Sequence, residues 1–86
     1  LIAFDTESSK SNLELVAFVE DLLHAHELPF VIVPNATGDK AAIFVTIGPM
    51  IDGGVVLSGH TDVVPVTGQA WTGDPFRLRR EGSRLY

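Results

Sequence analysis

The stretch GGVVLSGHTDVVP, residues 53 to 65, decides how the rest of this chain is read. Val55 to Ser58 is rich in β-branched residues and shows no polar alternation, the pattern of a strand buried on both faces. His60 and Asp62 then interrupt the run before valines resume. If residues 58 to 62 stay extended, the two side chains project to the same side, two residues apart at roughly 3.3 Å of rise each. A carboxylate placed there can reach one imidazole nitrogen, fix the tautomer and orientation of the ring, and leave the other nitrogen free for a metal. Taken alone, such a pair is more often a structural hydrogen-bonded contact or a capping arrangement than a zinc site.

Toward the N-terminus, Asp52-Gly53-Gly54 reads as a turn and Gly48-Pro49 as a strand break. The segment Ala41 to Ile47 is an expected second strand, preceded by turn chemistry in Asn35-Ala36-Thr37-Gly38-Asp39. Phe30 to Val33, between Pro29 and Pro34, is an expected first strand. Ser11-Asn12-Leu13-Glu14 has capping-box spacing and predicts a helix over 11 to 27, ending ahead of Pro29. Leu15, Phe18, Val19, Leu22 and Leu23 recur at spacings of three and four and form its expected inner face.

Toward the C-terminus, Asp74-Pro75 is a turn. Phe76 to Arg80 and Ser83 to Tyr86 flank Glu81-Gly82 as a hairpin. One helix, three strands and a hairpin predict an α/β layer, with strand three central and helices covering the sheet. The chain starts at Leu1 and stops at Tyr86 within an expected strand, so residues 1 to 86 read as a piece of a longer protein.

Composition narrows the function classes. Hydrophobic residues at 45% and charged residues at 20% are globular values. With no cysteine, any metal must be held by histidine and carboxylate. The net charge of −5 disfavours a nucleic-acid partner, which calls for a basic face. Residues 1 to 74 carry two lysines against ten acidic residues, whereas 75 to 86 carry four arginines against one glutamate. Arg77, Arg79, Arg80 and Arg84 are expected on solvated strand faces, or as an anion-attracting rim. Apolar runs are too short for a membrane span, and no leader peptide is evident.

Other residues have plainer readings. His24 and His26, about 200° apart on a helix, are expected to diverge on the surface. Trp71 and Phe76 are expected to pack at the core edge rather than line a cleft, and Thr61 to face into packing. Gly59 serves either close backbone approach or an ordinary strand end.

With these residues placed, VVLSGHTDVVPVTGQAWTGDPFRL and GSRLY resemble the first active-site segment of the dinuclear-zinc family that includes acetylornithine deacetylases, succinyl-diaminopimelate desuccinylases, aminoacylases and related carboxypeptidases. LIAFDTESSKSNLELVAFVEDLL is similar to that family's opening helix region, and NATGDKAAIFVTIGP to the segment leading into its central strand. The SGHTDVVP core marks the wider family; GQAWTGDPF points to the acetylornithine branch. A departure is Ala42, where relatives often have asparagine.

The resemblance implies the N-terminal part of a zinc-peptidase-like α/β/α catalytic domain, its sheet incomplete and its lid domain outside residues 1 to 86. It implies His60 as a ligand of one zinc and Asp62 as the carboxylate that orients and polarises it. Two zinc ions complete such a site, with cobalt as a substitute. The remaining ligands, including a bridging aspartate in a G-R-G-x-x-D-M-K-G segment, and the general-base glutamate are absent from this sequence. The implied chemistry is amide hydrolysis of a small N-acyl amino acid, acetylornithine giving acetate and ornithine for arginine biosynthesis. The implied protein is a cytoplasmic homodimer, and residues 1 to 86 alone are expected to be inactive. The alternatives are a desuccinylase or dipeptidase of the same fold, or a short non-catalytic interaction module.

Overall fold

The pattern of turns and caps produces one helix and two antiparallel hairpins in the computed structural model, which describes residues 1–86. Helix α1 spans Leu13–Ala25, two residues shorter at each end than its periodicity predicts. The expected capping box does not form. Ser11 Oγ accepts only the Leu13 amide, at 3.2 Å, because the Asn12 side chain at the N-cap is committed elsewhere: its Nδ2 donates to Ala41 O at 2.8 Å and its Oδ1 accepts the Ala41 amide at 2.9 Å.

The helix ends in a Schellman arrangement. Glu27 N donates to His24 O and Leu28 N to Leu23 O, both at 3.0 Å, which satisfies carbonyls that the helix would otherwise leave free. Glu27 occupies the left-handed position with φ of 53°, a conformation usually given to glycine.

Strands β1 (Phe30–Pro34) and β2 (Ala41–Val45) pair antiparallel, from Phe30 opposite Val45 to Pro34 opposite Ala41. The second strand therefore stops two residues before the expected Ile47. Their connection is locked locally: Asn35 N donates to Lys40 O, and Asn35 Nδ2 donates to both Thr37 Oγ1 and Asp39 Oδ1. Gly38, at φ 74°, supplies the left-handed residue that the turn requires. Burial alternates along the hairpin. Phe30, Ile32, Ile43 and Val45 are half-buried, while Val31, Val33 and Phe44 face solvent.

Helix α1 packs against β2, but the inner face differs from the expected stripe. Leu15 is buried, Val19 and Leu23 are half-buried, and Phe18 and Leu22 are about half exposed. Val16, outside the predicted set, is the other buried apolar residue. A two-stranded hairpin offers too narrow a surface to cover the whole stripe.

The expected central third strand does not form. Val55, Val56 and Leu57 are 86%, 81% and 93% exposed, and no segment of the chain lies alongside them to complete a hydrogen-bonded ladder. They border an open trough of about 1010 Å³ with Ile43 to Ile51. Strand character in the side chains is insufficient without a neighbour to receive the backbone groups.

At the C-terminus, β3 (Arg80–Glu81) pairs with β4 (Arg84–Leu85) around Gly82. The expected hairpin is therefore present with a shorter ladder, extended by reciprocal Arg79–Tyr86 backbone bonds at 2.9 and 2.8 Å. Arg77, Arg80 and Arg84 are exposed as expected. Arg79 instead folds inward: its Nη2 donates to Thr72 Oγ1 at 3.0 Å and its guanidinium lies 5.0 Å from the Tyr86 ring centroid. Phe76 is half-buried, but Trp71 is half exposed, its indole N–H donating to Val66 O at 3.2 Å. Phe76 N donates to Asp74 Oδ1 at 2.9 Å, the expected turn at Asp74-Pro75.

The architecture is α/β at the level of one helix on an antiparallel hairpin, with a second small hairpin apart. Its radius of gyration is 16.0 Å, against about 12 Å for a compact chain of this length. Only Leu15 and Val16 form a buried apolar core.

Candidate metal centre

The segment that carries His60 and Asp62 is held by the N-terminus. Thr6 to Ser8 runs parallel to it through a bridge between Glu7 and Val63. Val63 N donates to Thr6 O at 3.0 Å and Ser8 N to Val63 O at 2.9 Å. Thr6 Oγ1 adds a bond to Thr61 O at 2.6 Å. One turn further on, the buried Glu7 carboxylate accepts the Val66 amide at 2.9 Å and lies 3.3 Å from Lys10 Nζ. One backbone donor and a nearby ammonium give this buried carboxylate the partners that burial demands.

Within that frame His60 and Asp62 do project to the same side. His60 Nδ1 lies 2.9 Å from Asp62 Oδ1 and 2.9 Å from Asp62 O. Both partners are acceptors, so the neutral ring carries its proton on Nδ1 and presents the Nε2 lone pair. The His60 side chain is 85% exposed, so Nε2 is accessible. The Ser8 hydroxyl donates to the other carboxylate oxygen, Asp62 Oδ2, at 2.7 Å. The Ser8 hydroxyl, and after it the His60 ring, holds the Asp62 carboxyl below the ordinary aspartate range.

This donor set fits one ligand position of a zinc site: a neutral imidazole nitrogen backed by a carboxylate on the opposite nitrogen. The set is not complete, since no group of three or more His, Cys, Asp or Glu side chains in the chain could hold a metal together. His24 and His26 take no part. The His24 ring packs edge-on to Phe30 at 5.0 Å, and both histidines are exposed at the C-terminal end of α1.

Thr61 lies between the two polar side chains and is exposed rather than packed, its Oγ1 accepting Asn12 Nδ2 at 3.2 Å. Gly59 does not mark a close approach, for no atom would come within 4 Å of a Cβ there. Ser8, Thr6, Glu7 and Asn12 are the supporting residues that sequence reasoning missed. They lie 49 to 59 positions from their partners in the loop, and no local pattern announces such contacts.

No helix is long and apolar enough to cross a membrane. No protein-family model matches the chain, and no solved structure matches it. Curated proteins do match. Over 85 residues, 98% of this chain, it is 34% identical to an acetylornithine deacetylase of Proteus mirabilis. Over 86 residues it is 35% identical to an acetylornithine deacetylase of Photorhabdus laumondii, and over 85 residues 29% identical to one of Pasteurella multocida. The chain is thus similar, along nearly its whole length, to part of the acetylornithine deacetylases. It spans 22% of the length of each of these relatives.

Proposed function

We propose that this chain is the N-terminal, metal-binding part of the α/β/α catalytic domain of a zinc-dependent amide hydrolase. Its substrate is N-acetylornithine and its products are acetate and ornithine, a step of arginine biosynthesis. The observation that carries the reading is the His60–Asp62 contact with Nε2 left accessible, in a chain similar along its length to proteins named acetylornithine deacetylase. The whole protein is proposed to be a cytoplasmic homodimer that uses two zinc ions, with cobalt as a substitute.

In this reading His60 holds one metal through Nε2, and Asp62 orients the ring and keeps the proton on Nδ1. Zinc, when bound, polarises the amide carbonyl and stabilises negative charge as it develops there. The residues of this chain contribute position: the Thr6–Ser8 bridge to Thr61–Val63 fixes the backbone that presents the imidazole. A ligand held in advance loses less conformational freedom when the metal arrives.

The test is made on the full-length protein. Chelation should abolish acetylornithine hydrolysis, zinc or cobalt should restore it, and His60→Ala should bind at least one metal equivalent fewer. Hydrolysis of N-succinyl-diaminopimelate in preference to acetylornithine would overturn the substrate assignment. Full activity in His60→Ala would overturn the ligand assignment.

A further inference from the structure

Ser8 touches the candidate centre only through Asp62, yet it is fixed more completely than the residues it supports. Its amide donates to Val63 O at 2.9 Å. Its hydroxyl faces Asp62 Oδ2 at 2.7 Å and Val63 O at 3.2 Å. Its carbonyl accepts the Lys40 ammonium from the start of the β2 segment. Backbone and side chain are therefore held on three sides, whereas the Asp62 side chain is 54% exposed and the His60 side chain 85%.

An exposed aspartate has freely rotating side-chain torsions, and a single bond to an exposed imidazole does not hold it. A second bond to its distal oxygen, from a hydroxyl whose backbone is tied to Val63 and Lys40, restricts it further. We infer that Ser8 is a positioning residue, the third member of a relay running from Ser8 Oγ–H to Asp62 to the His60 Nδ1–H. By holding Asp62 Oδ1 on Nδ1 it adds to the Asp62 main-chain carbonyl, which accepts the same Nδ1–H at 2.9 Å, in orienting the His60 ring and favouring the tautomer with Nε2 free. The inference rests on the proposed metal reading for its consequence, but its geometric content stands apart from it.

The relay makes a demand on the hydroxyl rather than on the size of residue 8. In the full-length protein, Ser8→Thr keeps a hydroxyl, while Ser8→Val has threonine's shape without one. This matched pair cancels the steric change that either makes, and Ser8→Ala supplies the truncation. Two readouts are needed: the ¹⁵N chemical shifts of the His60 ring in metal-free protein at about pH 8, where imidazole is ordinarily neutral, and zinc affinity by chelator competition.

Wild type and Ser8→Thr should show the Nδ1–H tautomer. Ser8→Val and Ser8→Ala should move toward the Nε2–H form and lose about tenfold or more in zinc affinity, the usual effect of removing a partner that supports a metal ligand. An unchanged tautomer in Ser8→Val overturns the inference whatever zinc does. If Ser8→Val moves the tautomer as expected while His60→Ala leaves zinc binding untouched, the relay stands and the metal reading alone fails.

Discussion

Asn12 and Ala41 form a closed pair of hydrogen bonds, the side-chain amide of one matching the peptide group of the other at 2.8 and 2.9 Å. Through it the first turn of α1 is fastened to the first residue of β2, and the same Nδ2 reaches Thr61 Oγ1 in the His60 loop. One amide thus joins three segments. Asn12→Ala leaves both Ala41 groups without their partners in a part-buried setting, so a loss of about 1–3 kcal/mol is expected. Amide exchange in the full-length protein checks this: the Ala41 N–H should lose protection before other β2 amides do.

Glu27 shows the opposite case, a residue that costs stability where it sits. Both Schellman bonds are formed, yet a side chain with a Cβ occupies a left-handed position at φ 53°. Glu27→Gly is expected to stabilise the end of α1 by about 1 kcal/mol, the strain that glycine avoids. Slower exchange of the Leu28 amide, with chemical shifts outside residues 23 to 30 unchanged, would be the signature.

The turn between β1 and β2 should respond to acid through Asp39. The Thr37 hydroxyl, and after it the Asn35 amide, holds the Asp39 carboxyl below its ordinary value. A carboxyl depressed in the folded state contributes stability that is present above the unfolded value of about 3.9 and lost as pH falls through the folded value. The Asn35 and Lys40 amides should therefore lose protection only below about pH 4. In Asp39→Asn that acid step should be absent.

What was legible in the sequence follows how local each determinant is. Pro29, the Asn35–Asp39 turn and Glu81-Gly82 carry their conformation in their own residues, and α1 and both hairpins appear where those residues place them. The alignment of His60 with Asp62 was legible because two residues of extended spacing bring side chains to one side, although the strand expected to carry them does not form and the Thr6–Ser8 run holds the segment instead. The capping box failed because Asn12 found a partner 29 positions away. Ser8 escaped notice because its partner lies 54 positions away. Val55 to Leu57 has the composition of a central strand, but a strand is completed by its neighbours, and within these residues none is adjacent.

That unpaired strand leads to the last prediction, on a polypeptide of residues 1 to 86 by itself. A two-residue apolar core and a radius of gyration of 16.0 Å leave little cooperative burial to offset an entropy cost of about 1–2 kcal/mol for each ordered backbone residue. Val55 to Leu57 and the Ile43–Ile51 trough would remain open to water. In urea this polypeptide should lose its helical circular dichroism gradually, without a sigmoidal transition, and it should bind a hydrophobic dye before denaturant is added. It should neither retain two zinc ions nor hydrolyse acetylornithine, since His60 finds no further ligands in the chain. A sharp two-state transition would show that these residues reach a closed core. Zinc-dependent turnover by the polypeptide would show that a complete metal site assembles from it.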